Sequence, residues 1–139
     1  MIRAVLDTNI FVSSIFWEKG NPHRVVELAI DKKIEIFTSV DILRELERVL
    51  KRDFGEPDEL IQRQTGLVFE YTNVIVVGKK VNVVKADPDD NKILECAIAC
   101  GADYIVTGDN HLLDIKEYKR VKIVNAQKFV EIIENSKNE

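Results

Sequence analysis

A chain of 139 residues, 45% apolar and 32% charged, is long enough for one domain around a single core and too apolar for a disordered segment. Its formal charge of −4 argues against a protein that coats nucleic acid through bulk positive potential. No apolar run approaches the roughly 18 residues of a membrane span, and without a signal-peptide pattern the expected compartment is the cytoplasm.

The first expected element is a short strand, Ala4–Leu6, in "VLDTNIFVSS". Such a run ordinarily leaves through glycine, proline or a solvated turn. This one leaves onto Asp7, a carboxylate that either caps the following helix or does chemistry. Helical spacing covers Pro22–Asp31, and a second strand follows at Ile34–Phe37. The next helix, Val40–Arg52, carries an apolar stripe of Ile42, Leu43, Leu46, Val49 and Leu50, with Arg44, Arg48 and Lys51 outside. Glu45 and Glu47 both fall on the margins of that stripe, each about 100° from its centre, and geometry does not choose between them. "KRDFGEPDE" reads as a turn into a helix at Asp58–Tyr71, followed by a strand at Val74–Val77.

The segment "ADPDDNKILECAIA" opens the helix Pro88–Cys100. Asp87 is placed to cap it, Pro88 stands at the first helical position, and Asp89 and Asp90 complement the positive end of its dipole. Asp90 is also in line with Ile93, Leu94 and Ala97 on the buried face, so capping does not account for its direction. Cys96 and Cys100 read as small buried side chains rather than a disulfide or metal pair. A strand at Tyr104–Thr107 runs into "GDNHLL", which places Asp109 just beyond it, and Val121–Val124 is the last strand. The pairs and clusters Lys79-Lys80 and Lys116, Lys119, Arg120 and Lys122 read as solvated faces. Residues 1–135 form one domain and Ser136–Glu139 a frayed tail.

Strands that alternate with helices imply a parallel sheet covered on both faces. In open parallel sheets ligands bind outside the carboxyl ends of the strands. On that rule Asp7 and Asp109 share an edge.

"VLDTNIFVSS", "SVDILRELERVL", "DPDDNKILECA" and "ADYIVTGDNHLL" resemble, in order along almost the whole chain, the successive motifs of PIN-domain ribonucleases, nearest to the VapC-like toxin group of bacteria and archaea. The resemblance implies a three-layer α/β/α sandwich on a central parallel sheet of about five strands. It puts the family's four catalytic and metal-binding acids on Asp7, Glu45, Asp90 and Asp109, choosing Glu45 over Glu47, and sets Thr107 beside the fourth. It implies a Mg²⁺- or Mn²⁺-dependent endoribonuclease, with RNA as substrate, an antitoxin protein as partner, and a homodimer; the apolar residues Ile15–Trp17 are candidates for that contact.

The chemistry agrees with that ligand set. Like charges about 4 Å apart repel by roughly 4 kcal/mol at an effective dielectric near 20. Four converging carboxylates therefore call for a cation, and an all-oxygen set suits Mg²⁺ or Mn²⁺. Asn9, Ser39 and Asn91 stand beside the acids and are candidates to orient them by hydrogen bonds. His23 and His111 read as polar surface or loop residues, Phe16 and Trp17 as core or interface, and Asp114 as a spare acid. Two rival readings are a catalytically silent PIN-like binding module and another Mg²⁺-dependent phosphotransfer domain; Asn9, where a phosphatase of the haloacid type needs a second Asp, argues against the latter.

Overall fold

The computed structural model describes residues 1–78 and 88–136, with residues 88–90 described by their backbone alone. A six-stranded sheet has the order β3-β2-β1-β4-β6-β5. Its strands are β1 (Arg3–Leu6), β2 (Glu35–Ser39), β3 (Thr72–Ile75), β4 (Tyr104–Val106), β5 (Glu117–Tyr118) and β6 (Val121–Val124). Five are parallel, as expected; β5 adds an antiparallel edge by pairing with β6. The helices are α1 (Thr8–Phe16), α2 (Asn21–Ile30), α3 (Val40–Arg52), α4 (Asp58–Tyr71), α5 (Pro88–Cys100), α6 (Asn110–Ile115) and α7 (Ala126–Ser136). The final helix thus runs one residue into the expected tail.

The chain steps from β1 to β2 to β3 in one direction, then returns to place β4 on the other side of β1. Right-handed crossovers in opposite directions put their helices on opposite faces. The α5 helix accordingly packs on β1, β2 and β4, while α1 and α2 pack together with α7 against α2. The result is a three-layer α/β/α sandwich. Its strand order reverses between β1 and β4, and that crevice is where an open α/β sheet binds its ligand.

Burial explains the strands. Ala4, Val5, Leu6, Ile36, Ile105 and Val106 are fully or almost fully removed from water, as continuous apolar runs in a parallel sheet must be. Each large side chain so buried contributes about 1.5–3 kcal/mol against the chain entropy lost on folding. The α3 helix begins at Ser39, whose Oγ accepts from the Ile42 amide at 3.2 Å. It carries Asp41 in its first turn and Lys51 and Arg52 in its last, both favourable to its dipole. The following turn passes through Gly55 at φ +61°, a left-handed position that glycine occupies without a Cβ penalty.

The third strand starts two residues earlier than the β-branched run "VIVV" suggests. The α4 helix passes into it with no loop, and Val76, beyond the ladder, is 85% exposed. The β5–β6 hairpin turns through Lys119 and Arg120 at φ 46° and 73°, the backbone of a two-residue primed turn without its usual Asn-Gly.

Candidate active site

Leu6 pairs with Val106 in neighbouring parallel strands, so Asp7 and Thr107 leave the sheet side by side. The Asp7 amide donates to the Val106 carbonyl at 2.9 Å, which extends the ladder by one bond. Its carboxylate is then spanned from both sides. Oδ1 accepts from the Thr8 amide at 2.7 Å, the helix-capping contact. Oδ2 accepts from Thr107 Oγ1 at 2.7 Å and from Asn9 Nδ2 at 3.4 Å. Asp7 is therefore both a cap and a buried, positioned carboxylate, only 8% exposed.

The same small network carries Asp109. Thr107 Oγ1 accepts from the Asp109 amide at 3.0 Å, and Asn9 Oδ1 accepts from the Gly108 amide at 3.3 Å. Asp109 caps α6 by accepting from the His111 amide at 3.1 Å. Thr107 and Asn9 thus tie the loops after β1 and β4 together. Ser39 acts at longer range, because its hydroxyl caps α3 and so sets where Glu45 lies.

Glu45 reaches the same place from α3. Asp7, Glu45 and Asp109 line one cleft of about 600 Å³ with Thr8, Asn9, Ser13 and His111. Glu47 is not among the residues lining that cleft. Lys92 Nζ lies 3.9 Å and Arg48 4.0 Å from Glu45 Oε2, partly offsetting its charge. The Lys92 contact also joins α5 to α3. In α5, Asn91 is buried, and Ile93, Leu94 and Ala97 face the core in the expected register. The side chains of Asp89 and Asp90, together with Asp87, Lys79 and Lys80, lie outside the described residues. Among the described residues no three acidic, histidine or cysteine side chains form a group that could hold a metal.

The remaining candidates fall elsewhere. Asp114 is exposed on α6 and does not line the cleft. His23 is half-buried, with Nδ1 3.0 Å from the Ser14 carbonyl. It lines a larger groove of about 780 Å³ at the amino ends of β2 and β3, away from the acids. Cys96 and Cys100 are buried free thiols, and the neighbouring Cys100 together with burial pushes the Cys96 thiol up, away from reactivity. What sequence reasoning missed is the aromatic side of the cleft: Trp17 and Phe54 line it too, at 58% and 42% exposure.

The PIN domain family model matches residues 3–111. The chain belongs to the PIN-domain family. An uncharacterized protein of Methanocaldococcus jannaschii, MJ1680, is 32% identical to this PIN domain over 130 residues, covering 89% of this chain and 82% of that protein. Two solved structures share the fold. A chain of VapBC2 from Rickettsia felis, crystallised with a DNA fragment from its promoter, superposes with a TM-score of 0.65 at 20% identity, covering 89% of this chain and 98% of that one. PAE2754 from Pyrobaculum aerophilum gives 0.60 at 16% identity, covering 96% and 90%. Membership makes this a nuclease-like PIN protein in a family that generally uses divalent metals. Among the described residues no helix is long and apolar enough to cross a membrane.

Thr107 offers a direct test of how the site is held. Thr107→Val removes a donor to a buried carboxylate and an acceptor from the Asp109 amide, and is expected to cost about 1–3 kcal/mol in a urea melt. Thr38 is equally buried, and its hydroxyl has no hydrogen-bond partner among the described residues. Thr38→Val is therefore expected to be neutral or stabilising. Equal losses at the two positions would mean that the Asp7–Thr107–Asp109 network contributes nothing.

Proposed function

We propose that this PIN domain is a divalent-metal-dependent endoribonuclease acting on RNA, with Asp7, Glu45, Asp90 and Asp109 as its acidic residues. The observation that carries the reading is the meeting of Asp7, Glu45 and Asp109 in one cleft at the switch point of the sheet. Asp7 and Asp109, which follow β1 and β4, and Glu45 on α3 offer oxygen donors and no sulfur, the donor type that suits Mg²⁺ or Mn²⁺, although these three alone do not form a group that holds an ion. Asp90, in the first turn of α5, is the fourth proposed donor. When bound, such an ion supplies an activated water and neutralises charge on the phosphoryl oxygens.

The chain's own residues do the positioning. Thr107 and Asn9 hold the Asp7 carboxylate in one rotamer, and Lys92 and Arg48 lower the repulsion Glu45 adds. A toxin role, with a small antitoxin protein as partner, accords with the fold shared with VapBC2 and belongs to the same proposal. The contact between Lys92 and Glu45 favours a second reading, a silent PIN module in which a cation of the protein itself answers the glutamate.

The deciding experiment incubates the protein with single-stranded RNA in Mg²⁺, in Mn²⁺ and in chelator. Cleavage is expected only with metal and with 5′-phosphate ends, because water rather than the ribose 2′-hydroxyl attacks. Asp90→Asn is expected to abolish cleavage and Asp89→Asn to reduce it far less, since only Asp90 shares the register of Ile93, Leu94 and Ala97. Metal-independent cutting to 2′,3′-cyclic ends would overturn the mechanism, and an inert protein that ignores metal would leave the silent module.

A further inference from the structure

The acidic cleft has a second wall that metal chemistry does not use. Asn9 and Ser13 lie one turn apart on α1, and Trp17, the residue that ends the helix with its amide still bonded to the Ser13 carbonyl, stands about 12 Å further along than Asn9. Across from α1, Phe54 sits in the turn that follows α3, the helix bearing Glu45. Phe16 joins them: its ring stacks on Phe54 with centroids 4.7 Å apart at 19°, and meets Trp17 edge-on at 6.0 Å and 69°. Phe16 thus contacts both exposed rings. The helix that Asp7 caps and the helix that bears Glu45 each run into one of the two exposed aromatics.

We propose that Trp17 and Phe54 form a stacking platform for an unpaired base of the polynucleotide whose phosphate lies at Asp7, Glu45 and Asp109. The inference rests on the nuclease reading of the cleft and specifies its substrate as single-stranded. A chain of net charge −4, with three carboxylates at the phosphate position, gains little affinity from bulk attraction to the backbone. Base stacking is the source of binding that survives such a field, because every base has a π-face and stacking needs no positive charge. A continuous duplex keeps its bases inside the stack and presents none to Trp17. The platform therefore selects strands, loops and ends over helices.

Trp17 is the sole tryptophan, so its emission reports the platform directly. The experiment titrates the whole protein, in chelator where no cleavage occurs, with a short single-stranded oligoribonucleotide. Its arms are the same strand with abasic positions and the same sequence as a duplex. Quenching of Trp17 is expected with the intact strand, and binding about tenfold weaker with the abasic strand and with the duplex. Phe54→Ala is expected to weaken strand binding by a similar factor. In the metal-activated assay, Trp17→Ala is expected to raise KM with kcat little changed, and Trp17→Phe to restore most of the loss.

Equal affinity for duplex, abasic and intact strands would overturn the platform. So would emission that changes only with protein concentration, which would make this wall a contact between copies of the chain. These failures are separable from failure of the nuclease reading. A platform without cleavage still quenches in chelator, and a nuclease without a platform still cuts in metal with its KM unmoved by Trp17→Ala.

Discussion

Asp7→Asn is expected to lower metal-dependent RNA cleavage by at least about a hundredfold while leaving the fold in place. Removing one preorganised charged group from a reacting centre commonly costs about 10²–10³ in rate. Asp7 is buried, stands at the switch point, and is gripped by Thr8, Asn9 and Thr107. Asparagine is as good a helix cap as aspartate, so α1 keeps its start and the far-ultraviolet circular dichroism is expected to be unchanged. What is lost is a negative charge in the cleft. A Mn²⁺ ion held by the proposed acids would bind the folded chain and not the unfolded one, so Mn²⁺ is expected to raise the wild-type Tm, and the variant's gain should be much smaller. The same Mn²⁺ response in both proteins would remove Asp7 from the ligand set.

The largest expected effect on stability belongs to Phe11→Ala, at about 3–5 kcal/mol. Phe11 is fully buried in the middle of α1, and its ring lies 6.4 Å from that of Tyr71 at the end of α4. The cavity left by the ring would remove the packing that fixes α1, the helix that begins at Asp7 and ends beside Trp17. A loss of this size is a large share of the 5–15 kcal/mol typical of a domain and corresponds to a fall in Tm of roughly 10 °C or more. Tyr71 feels the same enclosure, since burial pushes its phenol well above its ordinary range. Differential scanning calorimetry measures the shift; a change below about 1 kcal/mol would mean that α1 is not anchored there.

The elements that the sequence made legible are those with a clean stripe or a continuous apolar run. Val40–Arg52, Asp58–Tyr71, Pro88–Cys100 and Val121–Val124 lie where spacing put them. The α1 helix is less legible because Ile10, Phe11 and Val12 are all buried, so it offers no stripe to separate it from a strand. The α6 helix is six residues long, less than two turns, and β5 is two residues joined to β6 by a turn without glycine. Helix geometry alone leaves Glu45 equal to Glu47; the family resemblance chose Glu45, and Glu45 rather than Glu47 lines the cleft. The aromatic wall was hidden. Trp17 and Phe54 are 37 positions apart, and nothing local says that Phe16 brings their rings to one place.

The bond from Thr107 to Asp7 joins residues 100 positions apart in the chain, and the one from Gly108 to Asn9 spans 99. A ribosome that has made everything up to the start of β4 has already made Asp7, Glu45 and Asp90, yet the partners that grip Asp7 and complete the cleft are still unsynthesised. The cleft of a nascent chain is therefore incomplete until β4 and the loop after it have been made. For the proposed ribonuclease, that order of synthesis would keep a chain lacking β4 from acting on the message that encodes it.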